Sequence, residues 1–344
     1  MFSSPGVGVT GEPLLEVRNL VRHFRQEREK LFAPPAWVHA VDGVSFDIAA
    51  AETLALVGES GCGKTTVGRL VLGLDVPTSG EVSFQGRPVH ALRPREWRSQ
   101  RQALQMVFQD PLGALDPRMT VAQQIREPLE IHGIGGATRR SEAVLEMLAA
   151  VGLSADLAMR YPHELSGGQQ QRVNVARALI LNPRLIVCDE PVSALDVSVQ
   201  AQVVNLFATL QRERGVAYLF ISHDLKVVRH LAHRVAVMYL GQIVELATRE
   251  TLFARPRHPY TRALISAVPV PDPDQRRGRV LVRGDPPSPL DPPPGCRFHT
   301  RCPLAEPICR EKTPALEALE DGHRVACHVA LRDARRSTEE VVTC

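Results

Sequence analysis

Several residues in this chain have the types and spacing to handle a polyphosphate. Between Thr53 and Thr66 the sequence TLALVGESGCGKTT fits the pattern G-x-x-x-x-G-K-[ST], with glycines at 58, 61 and 63 ahead of Lys64-Thr65-Thr66. Glycines let the backbone curl until successive N–H groups converge on an anion, and the following helix adds its positive end. Lys64 then reaches the outer phosphates, and the Thr65 hydroxyl is placed for magnesium. The nucleotide-binding candidates here are Gly58, Glu59, Ser60, Gly61, Cys62, Gly63, Lys64, Thr65 and Thr66. Further on, Leu185 to Cys188 reads as a buried strand ending in Asp189-Glu190, the edge where an α/β sheet places its chemistry. Asp189 would hold magnesium and Glu190 would polarise the attacking water. The next apolar run, Tyr218 to Ile221, ends in Ser222-His223-Asp224, so His223 is positioned to sense a terminal phosphate.

A second anion site is written at Leu165-Ser166-Gly167-Gly168-Gln169, where Ser166 is a good N-cap and the glycines permit close backbone approach. The plainer reading is a well-capped helix. Phe24 could stack on adenine or simply pack.

The elements that must position these groups follow from periodicity. Leu14 to Val17 and Val41 to Ile48 read as strands, separated by the surface insertion EREKLFAPPAW. Val67, Leu70, Val71 and Leu74 give the helix after Lys64 an apolar face, and Leu104 to Phe108 is another apolar run. Met119 to about Ala158 reads as helical, an insertion between two nucleotide motifs. Arg93, Arg95, Arg98 and Arg101 have only Trp97 among them and read as a solvated helical face, not a nucleic-acid patch.

The 344 residues allow one large domain and a smaller one, and 44% hydrophobic content supports a substantial core. A net charge of +3 argues for neither nucleic acid nor an acidic membrane surface. No run of apolar residues is long enough to span a bilayer, and the N-terminus lacks a secretory pattern, so a cytoplasmic location is expected.

Taken together, the phosphate loop, Gln109, LSGGQ at 165–169, Asp189-Glu190, Ser193 to Asp196 and His223, in that order, resemble an ABC transporter ATP-binding subunit. The resemblance implies a P-loop α/β fold with a RecA-like core, an antiparallel β-subdomain and an α-helical subdomain. It implies that Gln109 joins Thr65 and Asp189 at magnesium, and that each ATP lies between one subunit's phosphate loop and another's Ser166, Gly167, Gly168 and Gln169. Expected boundaries are a flexible 1–13, an ATPase domain at 14–268 with its helical part at about 112–165, a Pro-rich linker at 269–295 and an extension at 296–344.

Finer patterns resemble the oligopeptide and dipeptide importer branch: VFQDP at 107–111, RYPHELSGGQ at 160–169, CDEPVSALDVSVQAQV at 188–203 and HPYTRALISAVP at 258–269. That branch implies a partner ATPase, often a paralogue, two permease subunits, an extracytoplasmic binding protein and a peripheral place on the cytoplasmic membrane face. Nickel or glutathione import is the nearest alternative, and a soluble ATPase acting on DNA or ribosomes the more distant one.

Cys296, Cys302, Cys309 and Cys327 cluster near the C-terminus. Four thiolates suit tetrahedral zinc or an iron-sulfur cluster, and disulfides or unligated thiols also fit. His299, His323 and His328 leave mixed ligation open. The importer branch's C-terminal cysteine pattern implies a four-iron four-sulfur cluster.

Overall fold

The computed structural model describes residues 12–26, 36–268, 284–319 and 322–342. Most of the expected flexible N-terminus, the 27–35 part of the insertion, the 269–283 part of the Pro-rich linker and Cys344 lie outside the described residues.

β1 (Leu15–Arg25) and β2 (Trp37–Ile48) pair antiparallel as far out as Arg25 opposite Trp37. Both exceed the lengths that apolar alternation suggests, so Phe24 and Trp37 are strand residues. Their outer halves are held by backbone pairing and polar cross-strand neighbours such as His23 opposite His39, which hydrophobic periodicity does not register.

β3 (Thr53–Val57) is buried throughout and feeds the phosphate loop into α1 (Lys64–Val71), whose Val67, Leu70 and Val71 face the core. β4 (Ser79–Phe84) and β5 (Arg87–Pro88) complete a small antiparallel sheet in the order β2-β1-β4-β5. Arg93, which precedes α2 (Pro94–Ala103) as its N-cap, and Arg95, Arg98 and Arg101 on it are exposed, while Trp97 packs against Gly73.

After β6 (Leu104–Val107), the expected helical stretch divides into α3 (Val121–Ile131) and α4 (Ala137–Ala150). Gly133 and Gly135 break it at φ of 67° and 70°. The core resumes with α5 (Gly167–Leu179), β7 (Leu185–Asp189), α6 (Val197–Arg214), β8 (Ala217–Ser222), α7 (Leu225–Leu231), β9 (Arg234–Tyr239) and β10 (Gln242–Thr248). Next come α8 (Arg249–Ala254), α9 (Pro259–Ser266), α10 (Pro307–Glu311), β11 (Glu317–Ala318), β12 (Arg324–Val325) and α11 (His328–Val342).

The main sheet runs β11-β12-β10-β9-β3-β8-β7-β6. β9, β3, β8, β7 and β6 are mutually parallel, and β10, β12 and β11 add on antiparallel. The central strands are apolar on both faces because each face is covered. Ile186, Cys188, Tyr218 and Phe220 point into one core with the helical subdomain. Leu185, Val187, Leu219 and Ile221, one residue out of phase, enter the other core under the small sheet. Full burial of each such side chain contributes roughly 1.5–3 kcal/mol.

Candidate functional site

Parallel pairing places the chemistry at one edge. Val57 lies beside Ser222, and Asp189 beside Ile221, so the phosphate loop, Asp189-Glu190 and His223 emerge together from β3, β7 and β8. Gln109 follows β6, whose Val107 pairs with Cys188.

Within the loop, Gly58 and Gly63 leave no room for a side chain. A Cβ at Gly63, where φ is +107°, would lie 2.1 Å from the Ala40 carbonyl oxygen. Gly61, at φ +77°, faces open space, which leaves the crown of the loop accessible to an anion. Lys64 Nζ donates to the carbonyls of Gly58 and Glu59 at 2.9 and 3.0 Å, folding its ammonium along the loop. Burial pushes the Cys62 thiol up, so it stays neutral beside Lys64.

Thr65 Oγ1 donates to Asp189 Oδ1 at 3.1 Å. Asp189 is buried, and desolvation raises its pKa, with the charge on Glu190 adding to the rise; Thr65 and Lys64 oppose it. A buried carboxylate beside a hydroxyl at the mouth of an anion loop is a fitting donor set for magnesium. Glu190 takes the left-handed conformation, φ 45°, as the chain turns off β7, and its N–H donates to Ile221 O at 3.0 Å. Its Oε2 lies 3.2 Å from Gln109 Nε2 and 3.2 Å from His223 Nδ1. One carboxylate oxygen thus draws together side chains from three strand ends.

A cleft of about 820 Å³ runs from Thr65, Gln109 and Asp189 toward Asn174 and Arg177 on α5. Phe24 has Arg22 over its ring at 4.4 Å. Ser166 caps α5, its Oγ accepting from Gln169 N at 3.4 Å, and Ser166 and Gly167 are exposed. Gly168 packs closely on α6: a Cβ there would meet Val199 Cγ1 at 2.4 Å, so that side chain would have to shift. Among the described residues no hydrogen bond or ion pair joins 165–169 to 58–66.

Motif spacing misses a further layer. The C-terminal segment is bolted to the back of the phosphate loop. Glu59 N–H donates to Tyr260 Oη at 2.9 Å, and Arg301 donates to the Glu59 carboxylate at 3.0 Å. Phe298 packs on Tyr239 and Tyr260 with ring centroids 5.2 and 5.4 Å apart. Arg297 donates to Leu240 O and to Asp42. Glu245, fully buried on β10, accepts from Arg257 N, His258 N and His323 at 2.6, 2.9 and 2.7 Å. Those bonds hold its pKa below the usual value although desolvation pulls the other way. The only visible hint was that Tyr260 sits in HPYTRAL and Arg301 beside Cys302.

Cys296, Cys302, Cys309 and Cys327 are free thiols. Burial, and after it the neighbouring thiols, pushes Cys296 and Cys302 up to about 11 and raises Cys327 as well. No three of them bring sulfurs within 4.8 Å of one another. The candidate histidines are engaged elsewhere: His299 with Cys296 O, His323 with Glu245 and His328 with Lys312 O. Each of these bonds uses one ring nitrogen and leaves the other, so mixed thiol-imidazole ligation stays open.

The family profile described as ABC transporter matches residues 41–193, and that described as oligopeptide/dipeptide transporter, C-terminal region, matches 244–309. The putative oligopeptide transport ATP-binding protein YkfD of Bacillus subtilis (strain 168) is 52% identical over 92% of this chain and 95% of its own. The oligopeptide transport ATP-binding protein AppF of the same organism is 51% identical, over 92% and 98%. In structure, the dimeric post-hydrolysis state of the ATP-binding cassette MJ0796 bound to ADP and Pi aligns with a TM-score of 0.61 at 29% identity, over 68% of this chain and 98% of that one. cbiO1 of Clostridium perfringens, part of the ABC transporter complex cbiONQ, aligns with a TM-score of 0.62 at 25% identity, over 71% of this chain and 92% of that one. The chain belongs to the ATP-binding proteins of the ABC transporter family, in the branch with the oligopeptide/dipeptide transporter C-terminal region.

Proposed function

We propose that this chain is the ATP-hydrolysing subunit of a peptide importer, peripheral to the cytoplasmic face of a membrane, working with a second ATPase chain, two permease subunits and an extracytoplasmic binding protein. The observation that carries the ATPase reading is the convergence of Gln109 and His223 on Glu190 beside the Thr65–Asp189 pair. Thr65, Asp189 and Gln109 would hold magnesium, which neutralises developing phosphate charge when bound. Lys64 and the loop N–H groups bind the phosphates. Glu190 orients and deprotonates water, while His223 and Gln109 fix its carboxylate. Phe24 offers a ring for adenine. The exposed Ser166 end of α5 suits a nucleotide held by a partner chain, in keeping with the dimeric cassette to which this fold is similar.

Peptide cargo is supported by the similarity of residues 244–309 to the branch's C-terminal region and by the peptide-transport names of the relatives. No described helix is long and apolar enough to cross a membrane, so passage of cargo is assigned to the permeases. For the four cysteines we favour a four-iron four-sulfur cluster. One tetrahedral zinc ion, with Zn–S of about 2.3 Å, needs sulfurs about 3.8 Å apart, whereas these are spread more widely. Iron and sulfide analysis of anaerobically purified protein tests this; one zinc without sulfide contradicts it. Affinity purification from membranes tests the whole reading. Permeases and a peptide-type binding protein are expected, and recovery with DNA or ribosomes, or with a nickel-binding protein, would overturn it.

A further inference from the structure

The outer end of the β1–β2 ribbon holds a group of side chains that ATP hydrolysis does not use. His23 and His39 face each other across the ribbon, with ring centroids 4.1 Å apart and planes tilted by 50°. His23 Nε2 lies 3.5 Å from Asp42 Oδ1, and His39 Nδ1 lies 3.7 Å from Asp42 Oδ2. All three ligand atoms fall within 4.8 Å of one another.

His39 and Asp42 are three residues apart, which in a regular strand puts them on opposite faces. They share a face because the register shifts between Arg22, opposite Val41, and His23, opposite His39, leaving Ala40 as the extra residue of a β-bulge. The backbone on every side is anchored. His23 N donates to Thr78 Oγ1 at 3.0 Å, His39 N to Pro289 O at 2.9 Å, and Asp42 N to Gly241 O at 2.8 Å. Arg297 holds the carboxylate itself. Phe24, next in the strand, points to the opposite face, so the group is distinct from the adenine side.

The side chains lack what a finished polar cluster should have. His23 Nε2 and His39 Nδ1 are buried atoms without a hydrogen-bond partner. Their distances to Asp42 are too long for good hydrogen bonds. Arg297 takes Asp42 Oδ2, which leaves Oδ1 as the ligand oxygen, and its 3.5 Å from His23 Nε2 is close to the edge of a tetrahedron around one ion: metal–nitrogen and metal–oxygen bonds of about 2.05 Å place neighbouring ligand atoms about 3.4 Å apart. We propose that His23, His39 and Asp42 form a binding site for a divalent transition-metal ion of the zinc type, held by two imidazoles and one carboxylate, with the remaining position open to solvent. Imidazole with carboxylate suits Zn²⁺, Co²⁺ and Ni²⁺ and disfavours Mg²⁺, so the site is separate in chemistry from the magnesium position at Thr65 and Asp189. The ion would tie β1 to β2 at the bulge whose Ala40 carbonyl abuts Gly63 of the phosphate loop.

The test is titration of the full-length chain, cysteine group in place, with Zn²⁺ and with Co²⁺. One equivalent of Zn²⁺ beyond that bound by His39→Ala or His23→Gln is expected, with affinity lower by at least about tenfold in either variant. Co²⁺ at this site should give weak visible d–d bands without the intense near-ultraviolet charge transfer of thiolate ligation. If a variant does not fold, X-ray absorption of Zn²⁺-loaded wild-type protein decides by itself. Nitrogen and oxygen scatterers at about 2.0–2.1 Å with imidazole features support the site, and sulfur scatterers alone overturn it. Equal Zn²⁺ uptake by wild type and folded variants also overturns it.

Discussion

Replacing Glu190 by Gln tests the proposed water-activating group while sparing the structure around it. The left-handed backbone at φ 45° is the same strain for either side chain, so folding should be unaffected. Oε2 now lies 3.2 Å from both Gln109 Nε2 and His223 Nδ1, and an amide oxygen can still accept from one of them. The Thr65–Asp189 bond and the folding of Lys64 along the loop are untouched. Ground-state binding of ATP with magnesium should therefore stay within about threefold, since none of the groups assigned to the phosphates has changed. Loss of a positioned base costs ~10²–10⁴ in rate, or about 3–5 kcal/mol of transition-state stabilisation. Calorimetric titration with ATP and phosphate release by the assembled complex measure the two separately. Turnover within threefold of wild type would refute the role of Glu190. Loss of ATP binding in parallel with turnover would make it a structural residue.

Tyr260→Phe removes the acceptor of the Glu59 N–H and should cost about 1 kcal/mol of support to the loop, raising KM for ATP about fivefold with little change in denaturation midpoint. Glu245→Gln removes the charge that accepts from Arg257 N, His258 N and His323 inside the fold, and chemical denaturation should show a loss of about 3 kcal/mol or more. His258 is buried and its pKa is lowered to about 4, mainly by desolvation. Its folded pKa lies below the unfolded value, so stability is full above pH ~6.5 and falls as the pH drops toward 4, by up to about 3 kcal/mol. His258→Asn, which keeps an acceptor for Tyr260 N, should flatten that part of the stability profile.

The phosphate loop and the carboxylates after β7 were readable because each is a local pattern whose chemistry needs neighbouring residues. The N-cap at Ser166 was readable for the same reason. The apolar strands β3, β7 and β8 announced themselves by burial on both faces. What stayed hidden is nonlocal. Arg301 meets Glu59 across 242 positions and Arg297 meets Asp42 across 255, and nothing in either segment encodes its partner. β12 is two residues long and pairs with β10, too short for periodicity to reveal. The bulge at Ala40 shifts register by one residue and so puts His39 and Asp42 on a face that strict alternation denies them.

ATP turnover at Lys64, Thr65 and Asp189 is expected to drive peptide uptake. Accumulation of a labelled oligopeptide in proteoliposomes carrying the complete complex, with binding protein outside for the peptide and ATP supplied on the face where this chain sits, tests it most directly. ATP-dependent accumulation with the wild-type chain and its loss with Lys64→Ala are predicted. Equal accumulation by both, or peptide-independent turnover with uptake of nickel instead, would show that turnover at this site does not drive peptide uptake.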